Sequence, residues 1–362
     1  MKINIIDLKG QYQKIEGEIK SAVCSALDSG QFILGGEVAK FEEEAASYNG
    51  VKSAIAVANG TDAILLALKA LGVGYGDAVI TSPFTYYATA GAIARCGARP
   101  VFCDIDPKTY NMDPRSLKAA LGSMDKKELA SVKAVVPVHI YGQAADMDEI
   151  LKIAREYNLK VVGDAAQAFG AEYKSKKTGS MGDAGMIITN NEALADALRI
   201  LRNQGNKEKY YHTVLGHNSR MDNVQGAILR VKLKYIDEWN ERRRKLAGIY
   251  SKKLSGLNIK TPFAPDYNVH TYHLYVIYFQ TKARKEKAQA FLAENGVDAR
   301  TYYPVPLHLQ ECFGYLGYKA KDFPFAEGAS SRTLAIPMYP ELTEEQQDYI
   351  VDKIAQAEKE AA

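Results

Sequence analysis

Between residues 51 and 205 the chain alternates short apolar runs with amphipathic stretches, and this alternation constrains the fold more than any other feature. The run Ser53-Ala54-Ile55-Ala56-Val57 precedes a helical pattern over residues 62–71, which leads to Ala78-Val79-Ile80. Residues 98–102, 133–138 and 159–162 continue the series, each set off from the next by helix-like sequence. Parallel strands need long crossovers, and the crossovers available here are helical, so the order predicts a mostly parallel sheet covered by helices. A long charged amphipathic stretch over residues 236–253 then leads to a different pattern. Residues 273–279 read as a strand and residues 285–295 as a helix stopped by Gly296. Thr343-Glu344-Glu345-Gln346 reads as a capping box opening the last helix. The expectation is an α/β chain with a large domain over residues 1–240 and a smaller α+β domain over residues 241–362.

Charge and cysteine usage narrow the functional classes. Forty-six basic and 43 acidic residues are spread along the 362-residue chain, for a net charge of +3, so no basic block argues for nucleic acid or an anionic membrane. Cys24, Cys96, Cys103 and Cys312 have neither metal-ligand nor CxxC spacing and suggest reduced thiols. The apolar stretch at the N-terminus is too short for a signal sequence, and no run is long enough for a membrane span. A cytoplasmic protein is expected.

Three segments sit where a strand gives way to the next element, the place where open α/β sheets bind ligands. Asn59-Gly60-Thr61-Asp62 combines helix-start N–H groups with the Thr61 hydroxyl and suits a phosphate, or else Thr61 is an ordinary N-cap. In residues 82–90, Phe84, Tyr86 and Tyr87 offer rings for stacking on a flat cofactor, or simply core. Residues 163–171 place Asp164 and Gln167 after a buried strand. A buried carboxylate needs a partner, and a protonated pyridine nitrogen is one, the bland alternative being an aspartate that caps the following turn.

In this order these segments resemble the DegT/DnrJ/StrS family of nucleotide-sugar aminotransferases. Supporting stretches are residues 31–36, 104–106, 110–114, 138–143, 216–222 and 303–308, so the match spans nearly the whole chain. The resemblance implies fold type I of the pyridoxal-phosphate-dependent transferases. It implies pyridoxal 5′-phosphate as cofactor, with Asp164 on the pyridine nitrogen, Gln167 near the ring hydroxyl, Tyr86 stacked on the ring and Gly60, Thr61 and Asp62 at the phosphate. It further implies a homodimer in which Asn218 reaches the phosphate of the partner's site, with Tyr303 and His308 facing the sugar nucleotide. The implied reaction moves an amino group, from glutamate as the expected donor, to a keto sugar carried on a nucleotide, as in polysaccharide biosynthesis.

One departure stands out. Where the family pattern carries a strand and then the lysine that holds the cofactor as a Schiff base, Gly179-Ser180-Met181-Gly182-Asp183-Ala184-Gly185 runs directly into Met186-Ile187-Ile188-Thr189-Asn190. Roughly seventeen residues of the pattern are missing, about a strand with its turn and return. The Schiff-base lysine goes with them, and the catalytic residue is unassigned. Lys174, Lys176 and Lys177 match an exposed hairpin upstream, and Lys207 and Lys209 a polar stretch. The fusion predicts a sheet one strand short, with residues 183–189 serving as one of the two strands. A catalytically silent relative that binds cofactor or sugar nucleotide is the alternative function. A dehydratase, in which histidine replaces the lysine, finds no histidine at the junction.

Overall fold

The computed structural model describes residues 1–178 and 185–360; the junction residues 179–184 lie outside the described residues. The expected parallel sheet forms from β2 (Ala78–Thr81), β3 (Arg99–Phe102), β4 (Val132–Val136) and β5 (Lys160–Val161), in the order β3-β2-β4-β5, with every pair parallel. The first strand, β1 (Ser53–Val57), stands apart from it. It pairs antiparallel with β8 (Gly185–Thr189), in a register running from Ser53↔Thr189 to Val57↔Gly185. Between them in the chain, β6 (Ala171–Tyr173) and β7 (Lys176–Thr178) form a hairpin that pairs with Asn268–Val269.

The sheet is therefore interrupted. Among the described residues β5 pairs only with β4 and β8 only with β1. The sequence junction predicts a sheet that is one strand short, and the described strands do not close over that position. They leave two separate pieces, of four and two strands. Helix packing keeps the pieces aligned. Ile64, Leu65 and Leu68 of the Gly60–Ala70 helix pack with Val79, Ala134 and Val136 of the larger sheet, while Ala63 and Leu66 of the same helix pack with Ile55 and Val57. Gly185 is required at its position, since a Cβ there would lie 2.0 Å from the carbonyl oxygen of Asn59.

The second core is built on Tyr275–Phe279 paired antiparallel with Thr333–Ile336, covered by the Lys282–Glu294 and Glu344–Glu360 helices. The expected capping box is present: Thr343 N–H donates to Gln346 Oε1 at 3.0 Å and Gln346 N–H to Thr343 Oγ1 at 3.2 Å. The long charged stretch is the Ile236–Leu254 helix, which joins the two cores. Its Asn240 donates to the Phe169 carbonyl, while Leu246, Tyr250 and Leu254 enter the second core. That core also takes in Ile3 from the N-terminus, bridged to Val297. Short N-terminal apolar segments of this kind carry no periodic signal in the sequence.

Candidate cofactor and active site

Asp164 lies beyond the end of β5, where a parallel bridge to Val138 continues the sheet pairing. It is 8% exposed, and among the described residues no cation is paired with it. Thr89 Oγ1 donates to its Oδ2 at 2.7 Å, and Ala166 N–H donates to its Oδ1 at 3.2 Å. Burial pushes the Asp164 carboxyl above its ordinary value, outweighing the hydrogen bonds from Thr89 and Ala166 that favour the charged form. Thr85, also buried, lies 3.1 Å from Thr89 hydroxyl to hydroxyl. A buried carboxylate held by neutral donors is the environment that a cationic ring nitrogen would complete.

A cavity of about 220 Å³ opens over this group, lined by Asn59, Gly60, Thr61, Tyr86, Gln167 and Tyr303 among others. Gln167 is locked from both ends: its Oε1 accepts from Tyr141 N–H at 2.8 Å and its Nε2 donates to the Tyr303 hydroxyl at 2.7 Å. Tyr141 adopts a left-handed backbone (φ 60°), which its hydroxyl bond to the Tyr302 carbonyl and its N–H bond to Gln167 hold in place. Burial, with the Asp164 charge adding to it, raises the Tyr303 phenol above its ordinary value, so it stays protonated. The rings of Tyr86 and Tyr303 lie 6.1 Å apart, tilted by 39°, on the cavity wall.

At the other end of the cavity begins the Gly60–Ala70 helix. The helix cap is Asn59, whose side chain accepts from Asp62 N–H at 2.9 Å. Thr61 is thus not the N-cap, and with Gly60 it lines the cavity at the positive end of the helix. Asp62 does not join them. Its Oδ2 accepts from Ser219 Oγ at 2.9 Å and its Oδ1 lies 3.7 Å from Arg95, so the carboxylate is turned to those groups and its N–H is taken by the cap. Of the three residues expected at the phosphate end, Gly60 and Thr61 line the cavity and Asp62 does not. Asn218, next to Ser219, is exposed, accepts from Arg220 Nε at 3.0 Å, and lies outside this cavity.

His308, expected to face the sugar nucleotide, does not line this cavity. It is 2% exposed, packs edge-on against Phe323 with ring centroids 4.7 Å apart, and lies 3.2 Å from Glu327, away from the cavity lining. Its place is a packing role beneath the surface, so it does not face the cavity. Tyr303, expected to face the sugar nucleotide, lines the cavity over Asp164. The residues that sequence reading missed, Thr85, Thr89 and Tyr141, act through strand ends far apart in the chain. The only sequence signal was that two threonines spaced i, i+4 follow a strand.

No lysine lines the 220 Å³ cavity among the described residues. Lys174 is paired with Asp148, and Lys177 sits 3.4 Å over the Tyr48 ring and 3.6 Å from Asp237. Lys207 lies in the Asn206–Glu208 strand and Lys209 in the turn of an exposed hairpin completed by Tyr211–His212. The residues present therefore fit the pyridine nitrogen, a ring face and a phosphate of pyridoxal phosphate. Among the described residues that line this cavity there is no lysine to anchor it covalently. Among the described residues no cluster of three His, Cys, Asp or Glu side chains is placed to hold a metal, and no helix is long and apolar enough to cross a membrane.

Comparison with known proteins places this geometry in a family. The model of the DegT/DnrJ/EryC1/StrS aminotransferase family matches residues 13–355. The chain is 46% identical to a pleiotropic regulatory protein of Geobacillus stearothermophilus, covering 98% of each sequence. It is 38% identical to dTDP-3-amino-3,6-dideoxy-alpha-D-galactopyranose transaminase of Aneurinibacillus thermoaerophilus, covering 97% of this chain and 98% of that one. The crystal structure of DesV from S. venezuelae is 34% identical and superposes with a TM-score of 0.93 over 99% of each chain. The match with the Geobacillus protein runs over 376 positions, more than the 362 residues of this chain, so at least 14 of its positions have no counterpart here. The family is pyridoxal-phosphate-dependent, and a solved relative carries the aminated cofactor. Over nearly its whole length, with a fold type I architecture interrupted at one strand, this chain belongs to the DegT/DnrJ/EryC1/StrS aminotransferase family of nucleotide-sugar aminotransferases.

Proposed function

We propose that the chain binds pyridoxal phosphate, or its aminated form, in the cavity over Asp164 together with a nucleotide-linked keto sugar, and that it holds the cofactor without a covalent link. The observation that carries this reading is the pairing of a buried, cation-free Asp164 with a cavity whose described lining contains no lysine. When bound, the cofactor supplies an electron sink for proton loss at a substrate carbon. Asp164 would keep its ring nitrogen protonated, Gln167 and Tyr303 would present fixed hydrogen-bonding groups at the ring edge, and Tyr86 would cover a face. Gly60 and Thr61 would meet the phosphate with helix-start N–H groups and a hydroxyl. The reaction it would serve is amino transfer from glutamate to the keto sugar, although among the described residues its lining holds no lysine to move the proton at the reacting carbon. A homodimer with Asn218 contributed to the partner's phosphate site belongs to the same proposal, as do the large domain over residues 1–240 and the small domain over 241–362.

One observation favours a second reading, in which the chain turns over. Lys177 lines a neighbouring cavity that shares Gly60, Ile64, Asp164 and Ala166 with the cofactor cavity. Titration of the purified chain with pyridoxamine phosphate, followed by absorbance, tests the first reading: saturable binding that Asp164→Asn weakens supports it, and no binding contradicts it. Stopped-flow absorbance of the pyridoxal-phosphate-loaded chain mixed with glutamate tests the second. Turnover lost in Lys177→Ala would establish that reading in place of the first.

A further inference from the structure

Asn111 is 3% exposed and does not line the cofactor cavity, yet its side chain bonds to the turn that faces Gln167. Its Oδ1 accepts from Ile140 N–H at 3.0 Å, and its Nδ2 donates to the carbonyls of Gln143 and Ala144, both at 3.2 Å. A backbone N–H only donates and a carbonyl only accepts, so the two ends of this amide cannot be exchanged. Asn111 is itself set by a tight turn: Asp106 N–H donates to its carbonyl at 2.8 Å, and Tyr110 before it has a left-handed backbone (φ 61°). The amide thus grips both sides of the Ile140–Gly142 turn, at whose centre Tyr141 has its φ of 60°. A bulky residue keeps such a conformation only where its surroundings hold it there. From the opposite side Thr271 N–H donates to the Gly142 carbonyl at 2.9 Å, a contact that lies after Tyr141, whereas Asn111 holds the residue before it. The consequence reaches the cavity. Tyr141 N–H can meet only an acceptor, so it selects Oε1 of Gln167 and leaves Nε2 to face the Tyr303 hydroxyl. Turned over, the Gln167 amide would set donor against donor.

We propose that Asn111 is a positioning residue for the ring edge of the cofactor: by holding Tyr141 it fixes the Gln167 amide and, through it, the Tyr303 hydroxyl, so that the pair selects a ring bearing an oxygen. The inference rests on the cofactor reading above. The Gln167 amide nitrogen has a second proton and the phenol its own, so a pair locked this way presents donors, which suit an acceptor oxygen on the ring. With the turn loosened, the amide would rotate about its last torsion, which is broad and two-fold for such groups, and both orientations would be populated. The chain would then still hold ring nitrogen and phosphate through Asp164, Gly60 and Thr61, and would lose its preference for the ring oxygen.

The test is calorimetric titration with pyridoxamine phosphate and with its analogue lacking the ring hydroxyl, in the parent, Asn111→Leu, Gln167→Leu and the double variant. The parent is expected to prefer pyridoxamine phosphate about tenfold, the worth of one hydrogen bond to a charged group. Asn111→Leu, similar in volume but without hydrogen bonds, is expected to cut that preference below about twofold and to change affinity for the analogue less than about threefold. The double variant is expected to match Gln167→Leu, because both substitutions act on one chain of contacts. Hydrogen exchange in the parent gives a second measure that needs no substitution: pyridoxamine phosphate is expected to slow exchange of the Tyr141 amide about tenfold or more, and the analogue less. Should Asn111→Leu not fold, that exchange decides. Preference retained in Asn111→Leu, or Tyr141 exchange that bound cofactor leaves unchanged, would overturn the proposal. Equal affinity of the parent for both compounds would also overturn it while leaving the cofactor site standing. Binding of neither compound by the parent would overturn the cofactor reading itself, and this inference with it.

Discussion

Asp164 has opposite effects in the empty and filled states. Burial raises its folded-state value above the unfolded one, so its favourable contribution is fully present below the unfolded value and is lost as pH rises through the folded value. At neutral pH an unpaired Asp164 thus opposes folding of the cofactor-free chain, whereas a ring cation would make the same charge favourable. Asp164→Asn is expected to melt at the same temperature as the parent or higher, by calorimetry, while its cofactor affinity falls at least about 100-fold, as when about 3 kcal/mol of a buried charge pair is lost. A lower melting temperature with unchanged affinity would count against the role given to Asp164. Thr89 acts through that carboxylate. Thr89→Val should weaken cofactor binding about tenfold, the worth of a hydrogen bond to a charged group, and Thr89→Ser should restore it. Equal affinity in parent and valine variant, measured by the same titration, would show that the bond does not matter. Asp164, Gln167, Tyr86, Gly60 and Thr61 were legible in the sequence because each follows a strand at a recognisable segment. The partners that Asp62 and His308 take, Ser219 and Arg95 for one and Phe323 and Glu327 for the other, were not legible, because they are set by tertiary packing that no local pattern records.

Among the elements, β8 decides how the broken sheet is held. It joins the β1 edge through five register pairs, and its first residue, Gly185, passes so close to Asn59 that a side chain would displace the turn that opens the Gly60–Ala70 helix. Gly185→Ala is expected to cost about 1–3 kcal/mol in urea unfolding, as overpacking against a backbone does, and to weaken cofactor binding with it. A variant as stable as the parent would mean that the β1–β8 pair is loosely held. Most strand and helix positions were legible from apolar periodicity, including β1 to β5 and the capping box at Thr343. The state of the interrupted sheet was not, because a missing strand can be healed by pairing its neighbours or left as a gap. Helices that already pack on each side, as the Gly60–Ala70 helix does on both pieces, favour the gap.

For the molecule as a whole, the buried His139 and His270 contribute to behaviour in acid. Burial lowers His139 to about 4 and His270 to about 3, and in each ring Nδ1 accepts a backbone N–H bond that protonation would break. The folded state therefore holds fewer protons than the unfolded one between an ordinary histidine value near 6.5 and these lowered values. Their contribution is fully present above about 6.5 and lost as pH falls toward 4, with a slope reaching about 2.7 kcal/mol per pH unit for two protons. Urea midpoints measured across this range are expected to fall with pH, less steeply in His270→Gln; a flat profile would contradict neutral burial of both rings. The central claim is that this chain has the cofactor site of its family without the covalent hold. Borohydride treatment of the chain loaded with pyridoxal phosphate, followed by peptide mass mapping, addresses it most directly. The account predicts cofactor that is bound before denaturation and wholly released by it, with no reduced adduct at any site in the cavity, whereas a stoichiometric adduct on Lys177 or another lysine would contradict it.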